Sequence, residues 1–222
     1  MNLEKTRTLI SKRLSDDELY FEVWGPFAAF TRPEFHVERI SYDVITPSAA
    51  RNIAQQLYWH PSFDYIVEKI AVFNPIQHMG MTKNELQNGV IGKRGEIISR
   101  AAMRQQRYSD YLRNVHYGVR LKVVEKPGNT QEFNLGKIRA KFVKARDNGH
   151  MFHVPYLGLK ECTANVAQYK PSFDSDRELP TTDLGIMLLD VNYDVAPAKP
   201  LFFHPIMRDG IIEVPDRREV AG

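Results

Sequence analysis

Arginine interleaved with aromatic side chains is the chemistry-bearing pattern of this sequence. Between Trp24 and Ile53 the chain sets Trp24, Phe27, Phe30, Phe35 and Tyr42 among Arg32, Arg39 and Arg51. Guanidinium groups grip phosphate oxygens and flat rings accept unstacked nucleobases, so the composition suits a chain that holds RNA. With no partner in view, the same stretch is a long loop anchored by aromatic core residues. More cations follow. Lys83, Lys93 and Arg94 lie in a glycine-punctuated segment from His78 to Gly95, and Arg100, Arg104 and Arg107 recur at three- and four-residue spacing. On a helix that spacing shares one face. A solvated helix face would carry such a stripe, but few acids stand nearby to neutralise it, which favours contact with an RNA backbone. Along Val115–Val124, alternation puts His116, Gly118, Arg120 and Lys122 on one side of a strand.

Several enzyme classes fail on residue type. Metal-dependent hydrolysis needs clustered histidines and carboxylates, and the close pair His150 and His153 has no evident third ligand. The sequence has neither a phosphate-cradling G-x-x-x-x-G-K-[ST] loop nor a G-x-S-x-G elbow. Cleavage of RNA without a metal asks for less. The ribose 2′-hydroxyl is the nucleophile, and the protein supplies a base, an acid and a cation beside the phosphate. Tyrosine, histidine and lysine can fill those roles, and the products carry a 2′,3′-cyclic phosphate and a 5′-hydroxyl. No cofactor and no metal are expected.

The elements that must position these groups follow from length and pattern. The 222 residues are 43% hydrophobic, with net charge +3 and pI near 8.9: ordinary globular composition, mildly basic. One cysteine, Cys162, rules out an internal disulfide and fits a buried thiol in a reducing compartment. No apolar run is long enough for a signal peptide or membrane span, so a cytoplasmic protein is expected.

Residues 2–18 are a polar, charged leader. Leu19–Trp24 is a strand closed by Gly25-Pro26. Thr46-Pro47-Ser48 starts a helix with Ala50, Ile53 and Leu57 inward, ending at His60-Pro61. Strands are expected over Tyr65–Ile76, Val115–Val124, Glu161–Gln168 and Asp183–Tyr193, the last buried on both faces. A helix spans Phe133–Asp147 and stops at Asn148-Gly149. Leu201–Met207 and Ile211–Val214 form a hairpin around Asp209-Gly210.

The segment TRPE followed by VERxSYDVxxPSAARxI resembles the signature of the CRISPR-associated Cas-five family, type I-C (Dvulg) subtype. Further similarity lies in Arg104-Gln105-Gln106-Arg107 leading to Leu112-Arg113-Asn114-Val115, in Tyr156-Leu157-Gly158 and in Asp183-Leu184-Gly185. It runs from about Leu19 to Pro215. The resemblance implies an α+β, ferredoxin-like (RNA-recognition-type) domain over 19–170, with a basic insertion around 78–110 and a C-terminal β-rich part over 171–222. The order strand-helix-strand-strand-helix-strand agrees.

It also implies a metal-independent endoribonuclease that processes CRISPR precursor RNA at the repeat hairpin and keeps the 5′ handle within a type I-C interference complex. The alternative is a subunit that binds the handle without cutting. Tyr42 matches the tyrosine of the family motif. Lys122 stands where many relatives have a histidine, and this departure favours the non-cutting alternative. His116, on the same face, is the substitute. Arg32, Arg39, Arg51, Lys83, Lys93, Arg94, Arg100, Arg104, Arg107 and Arg120 are the expected RNA contacts. The partners so implied are the repeat RNA and the other subunits of the complex.

Overall fold

Every second side chain from Leu19 to Val23 is apolar, and the strand these residues form is the centre of the fold. The structure is a computed structural model that describes residues 18–35, 37–86, 104–169, 179–192 and 195–220. The expected leader, apart from Glu18, and Lys93, Arg94 and Arg100 lie outside the described residues. Strand β1 (Glu18–Ala28) pairs antiparallel with β4 (Arg104–Glu125), which pairs antiparallel with β2 (Phe63–Val72). With β5 (Asn165–Ala167) beside β1, β10 (Ile211–Glu213) beside β2, and β3 (His78–Leu86) beside the first half of β4, the sheet has six strands. The chain is thus a mixed α/β protein built on a mostly antiparallel sheet.

Leu19, Phe21 and Val23 stand across from Leu121, Val119 and Tyr117, and all six side chains are buried. Two helices close that face. In α1 (Pro47–Leu57) the inward residues are Ala50, Ile53, Ala54 and Leu57, and the Thr46 hydroxyl caps it by accepting the Ala49 N–H at 3.2 Å. In α2 (Leu135–Asn148), Ile138, Phe142 and Ala145 turn inward, and Phe142 packs its ring 6.3 Å from Phe21 and 5.9 Å from Tyr65. Each such ring contributes about 1.5–3 kcal/mol by leaving water. Gly149, at φ 71°, ends α2 in the left-handed conformation that glycine adopts freely.

Several expectations are corrected. The first strand does not stop at Gly25-Pro26. Gly25 admits a close neighbour, since a Cβ there would lie 2.8 Å from the Leu157 side chain, and beyond Trp24 no strand pairs β1 on the β5 side to need the amide that Pro26 lacks. The described parts of the segment from His78, residues 78–86 and 104–107, are strand rather than loop and helix. The first is β3, and Arg104 to Arg107 belong to β4, a single strand of 22 residues whose first half forms a two-stranded arm with β3. On a strand, a three-residue step puts Arg104 and Arg107 on opposite faces. The strand expected over Tyr65–Ile76 begins and ends earlier, and the one expected over Glu161–Gln168 shrinks to β5.

The C-terminal part differs most. Asp183–Tyr193 divides at Gly185 into β6 (Thr182–Asp183) and β7 (Met187–Asn192), and Ile186 is 65% exposed, so this run is not buried on both faces. Asp209-Gly210 does turn the chain, with positive φ at both residues. The strands around it part company. β9 (Ile206–Met207) joins β6, β8 (Lys199–Phe203) joins β7, and β10 goes to the main sheet. The chain then ends its described part in α3 (Arg217–Val220). Cys162 is buried, and burial pushes its thiol up to about 11.

Candidate functional site

The signature stretch folds back on itself. Tyr42 N–H donates to the Phe30 carbonyl at 2.8 Å, and Arg32 N–H to the Ile40 carbonyl at 2.8 Å. Tyr42 is 1% exposed, its hydroxyl accepts the Leu188 N–H at 3.3 Å, and the Arg32 guanidinium lies 4.4 Å from its ring centre. Burial, and then Glu34, raise its phenol above the ordinary range, against the Leu188 amide and Arg32. Arg32 also meets Glu34 at 3.7 Å. Arg51 is enclosed: it pairs with Asp190 at 2.5 Å and Asp64 at 3.6 Å, and Arg217 bonds the same two carboxylates. These three expected site residues therefore hold the architecture together.

His116, Arg120 and Lys122 leave β4 on the sheet face opposite the helices. His116 Nε2 is 3.1 Å from Glu22, and its ring packs 4.6 Å from Phe73. Arg120 pairs with Glu18 and, at 2.9 Å, with Glu68. Beside it the Tyr20 hydroxyl donates to Glu18, and burial followed by that bond pushes its phenol up to about 12. Lys122, half-buried, stands across from Glu18. Tyr42 is buried in the core cluster with Tyr117, whereas His116 and Lys122 are half-buried and leave β4 on the side opposite Tyr117.

The arm carries a second charged group. Arg39 reaches Glu85 at 3.0 Å, and Arg107 approaches the same carboxylate at 3.8 Å. Lys83 pairs with Glu161, which also accepts the Tyr111 hydroxyl, and the Lys83 ammonium lies 4.7 Å from the Tyr111 ring centre. The bond to Lys83, then that to Tyr111, hold the Glu161 carboxyl below its usual range. Arg104 is exposed and makes no ion pair among the described residues. His78 stands between Asp110 (2.7 Å) and Asp43 (3.1 Å), one on each ring nitrogen. The ring separates the two carboxylates, and among the described residues no set of histidine, cysteine and carboxylate side chains converges as metal ligands.

One constellation escaped the sequence analysis. Where α1 ends, Tyr58, His60 and Ser62 face Asn134, Lys137 and Lys141 of α2 across an open cavity of about 180 Å³. The Lys141 ammonium is 5.3 Å from the Tyr58 ring centre, and His60 Nδ1 is 2.8 Å from the Ser62 hydroxyl. The His60 ring stacks on Phe63 at 6.5 Å, while Lys137 bonds Glu132 at 2.7 Å. This cleft places a phenol, an imidazole and two ammonium groups around one space. The residues lie far apart in sequence. In sequence, His60-Pro61 marks only the end of a helix.

This mixed α/β architecture on a mostly antiparallel sheet has a counterpart among solved structures. A solved structure described as a CRISPR-associated protein superposes with a TM-score of 0.68 at 24% identity, over 91% of this chain and 94% of the other. The family profile described as CRISPR-associated protein (Cas5), of the Cas5d type, matches residues 18–215. Two relatives are each named CRISPR pre-crRNA endoribonuclease Cas5d. That of Thermus thermophilus is 36% identical, over 89% of this chain and 91% of the relative. That of Mannheimia succiniciproducens is 32% identical, over 90% and 95%. The chain belongs to the CRISPR-associated Cas5 family, in its Cas5d (type I-C) branch.

Proposed function

We propose that this protein is a metal-independent endoribonuclease that cuts CRISPR precursor RNA at the repeat hairpin and stays on the 5′ handle of its product within a type I-C interference complex. Similarity to two relatives named as pre-crRNA endoribonucleases supports the substrate class. The single structural observation that carries the chemistry is the cleft of Tyr58, His60, Lys137 and Lys141. It offers proton-transfer groups and cations together at an open surface, as attack by a 2′-hydroxyl requires. The lysines offset charge developing on the phosphate, and Tyr58 and His60 exchange protons with the attacking and leaving oxygens.

The fold is ferredoxin-like on this reading. With β1, β2, β4 and β5 as its four strands, the sheet order puts β4 between β1 and β2 and β5 on the outer side of β1, with both helices on one face. The β3–β4 arm is then an insertion. Tyr42, His116 and Lys122, the candidates from family resemblance, are a second set. They are weaker because Tyr42 is 1% exposed and its hydroxyl already accepts the Leu188 N–H. Lys83, Arg104 and Arg107 on the arm, Arg39 beside it, and Lys93, Arg94 and Arg100 from the intervening sequence are the proposed contacts to the RNA backbone. Arg39, Lys83 and Arg107 each meet one carboxylate, whereas Arg51 and Arg120 each engage two and Arg32 lies over the buried Tyr42 ring.

Retention of product tests the second half of the proposal. After incubation with a 3′-labelled repeat-spacer RNA, the downstream fragment should elute from gel filtration together with the protein. Cutting followed by free elution of that fragment would leave a nuclease without a role in holding the handle. Tight binding with no cutting would favour the handle-binding alternative.

A further inference from the structure

Beside the cleft lies an aromatic surface that the chemistry does not use. Trp59 is 44% and Phe152 59% exposed, with ring centres 6.3 Å apart and planes 33° from parallel. Exposed pairs of large rings are unusual on a surface with no partner. Their placement is built by the backbone: Phe152 N–H donates to the Leu57 carbonyl at 3.2 Å, and His153 N–H to the Gln56 carbonyl at 2.9 Å. Segment 152–153 is thereby fastened to the last turn of α1. His153 sets its ring edge-to-face on Phe152 at 4.5 Å. The rings border a shallow hollow whose floor includes Asn52, Gln55 and Tyr156. Gln55 donates to Asp64 at 3.4 Å, whereas the exposed Asn52 amide has no partner among the described residues.

We infer that Trp59 and Phe152 form a stacking subsite for unpaired RNA nucleotides that flank the cleaved phosphate. The inference rests on the nuclease proposal. Tyr58, at the end of α1, has an extended backbone (φ −149°, ψ 126°), so it and Trp59 project to opposite sides. Tyr58 lines the cleft and Trp59 the hollow, so the two surfaces adjoin through consecutive residues. The occupant's chemistry follows from the surroundings. Flat rings accept any base, the exposed Asn52 amide can bond a base edge, and Lys141, which lines the adjoining cleft and makes no ion pair among the described residues, can meet a phosphate.

Tryptophan fluorescence tests this directly, because the chain has two tryptophans and Trp24 lies on β1, away from the cleft. In a Trp24→Phe background, Trp59 is the sole reporter. A repeat hairpin with unpaired flanks, made uncleavable by a 2′-deoxy nucleotide at the scissile position, should quench it. The same hairpin trimmed of its flanks should bind with little quenching. Phe152→Ala should weaken binding of the flanked hairpin by about tenfold and leave the trimmed one unaffected. Binding of the flanked RNA with no quenching would overturn the subsite, give the rings to a protein partner and leave the nuclease proposal intact. Failure of both hairpins to bind would overturn the nuclease proposal and the subsite with it.

Discussion

Tyr58→Phe lowers the single-turnover rate of repeat cleavage by about 100-fold, the loss typical of a proton-transfer group, while hairpin affinity stays nearly unchanged. The substitution removes one oxygen and keeps the ring that Lys141 faces and that packs on Phe63 at 5.8 Å. The hydroxyl supports no described neighbour by hydrogen bond, so the fold has no stake in it. Tyr42→Phe is the matched comparison. Its hydroxyl accepts a backbone amide from Leu188 in the core, so its removal affects stability by about 1 kcal/mol and leaves the cleavage rate in place. Loss of cleavage in Tyr42→Phe with full activity in Tyr58→Phe would return the chemistry to the signature motif.

The largest effect on stability is expected at Asp190. This carboxylate is 4% exposed and bonds Arg51 at 2.5 Å and Arg217 at 2.8 Å. Asp64, 7% exposed, is the other acid between the same two guanidinium groups. The four charges join α1, β2, β7 and α3, so one network ties the C-terminal part to the main sheet. Asp190→Ala leaves two cations on a single carboxylate, with Arg51 largely enclosed and Arg217 partly exposed. A loss of about 3–5 kcal/mol follows, because the uncompensated charge costs more than the pair contributed. In a chain of this size that is a fall in melting temperature of roughly 6–20 °C. Asp190→Asn retains an acceptor oxygen and should lose less. A melting temperature unchanged in Asp190→Ala would mean that water enters the network and satisfies it.

What could be read from the sequence tracks how local the signal is. The start of α1 was legible because Thr46-Pro47 is a short-range cap, and the end of α2 because Asn148-Gly149 is a short-range stop. The core strands showed themselves through one-sided burial. The β3–β4 arm did not. From Met81 through Tyr108 its described side chains are polar or exposed on both faces, so no period-two apolar pattern marks it, and the arginine spacing imitates a helix. The C-terminal turn was legible, but whether its two strands pair depends on β2 and β6, which are distant in sequence.

The site followed the same rule. The signature stretch is dense in functional residue types, yet Arg32 lies over the buried Tyr42 ring and Arg51 is held by Asp64 and Asp190. The cleft is composed of unremarkable residues from two segments that only packing of α1 against α2 brings together.

The decisive measurement is incubation of the purified protein with an end-labelled repeat hairpin from its own CRISPR array in excess EDTA, with analysis of the new termini. The account predicts cutting at one position, a 2′,3′-cyclic phosphate on the upstream product and a 5′-hydroxyl on the downstream one. A cut that vanishes with EDTA, or leaves a 3′-hydroxyl and a 5′-phosphate, would contradict it.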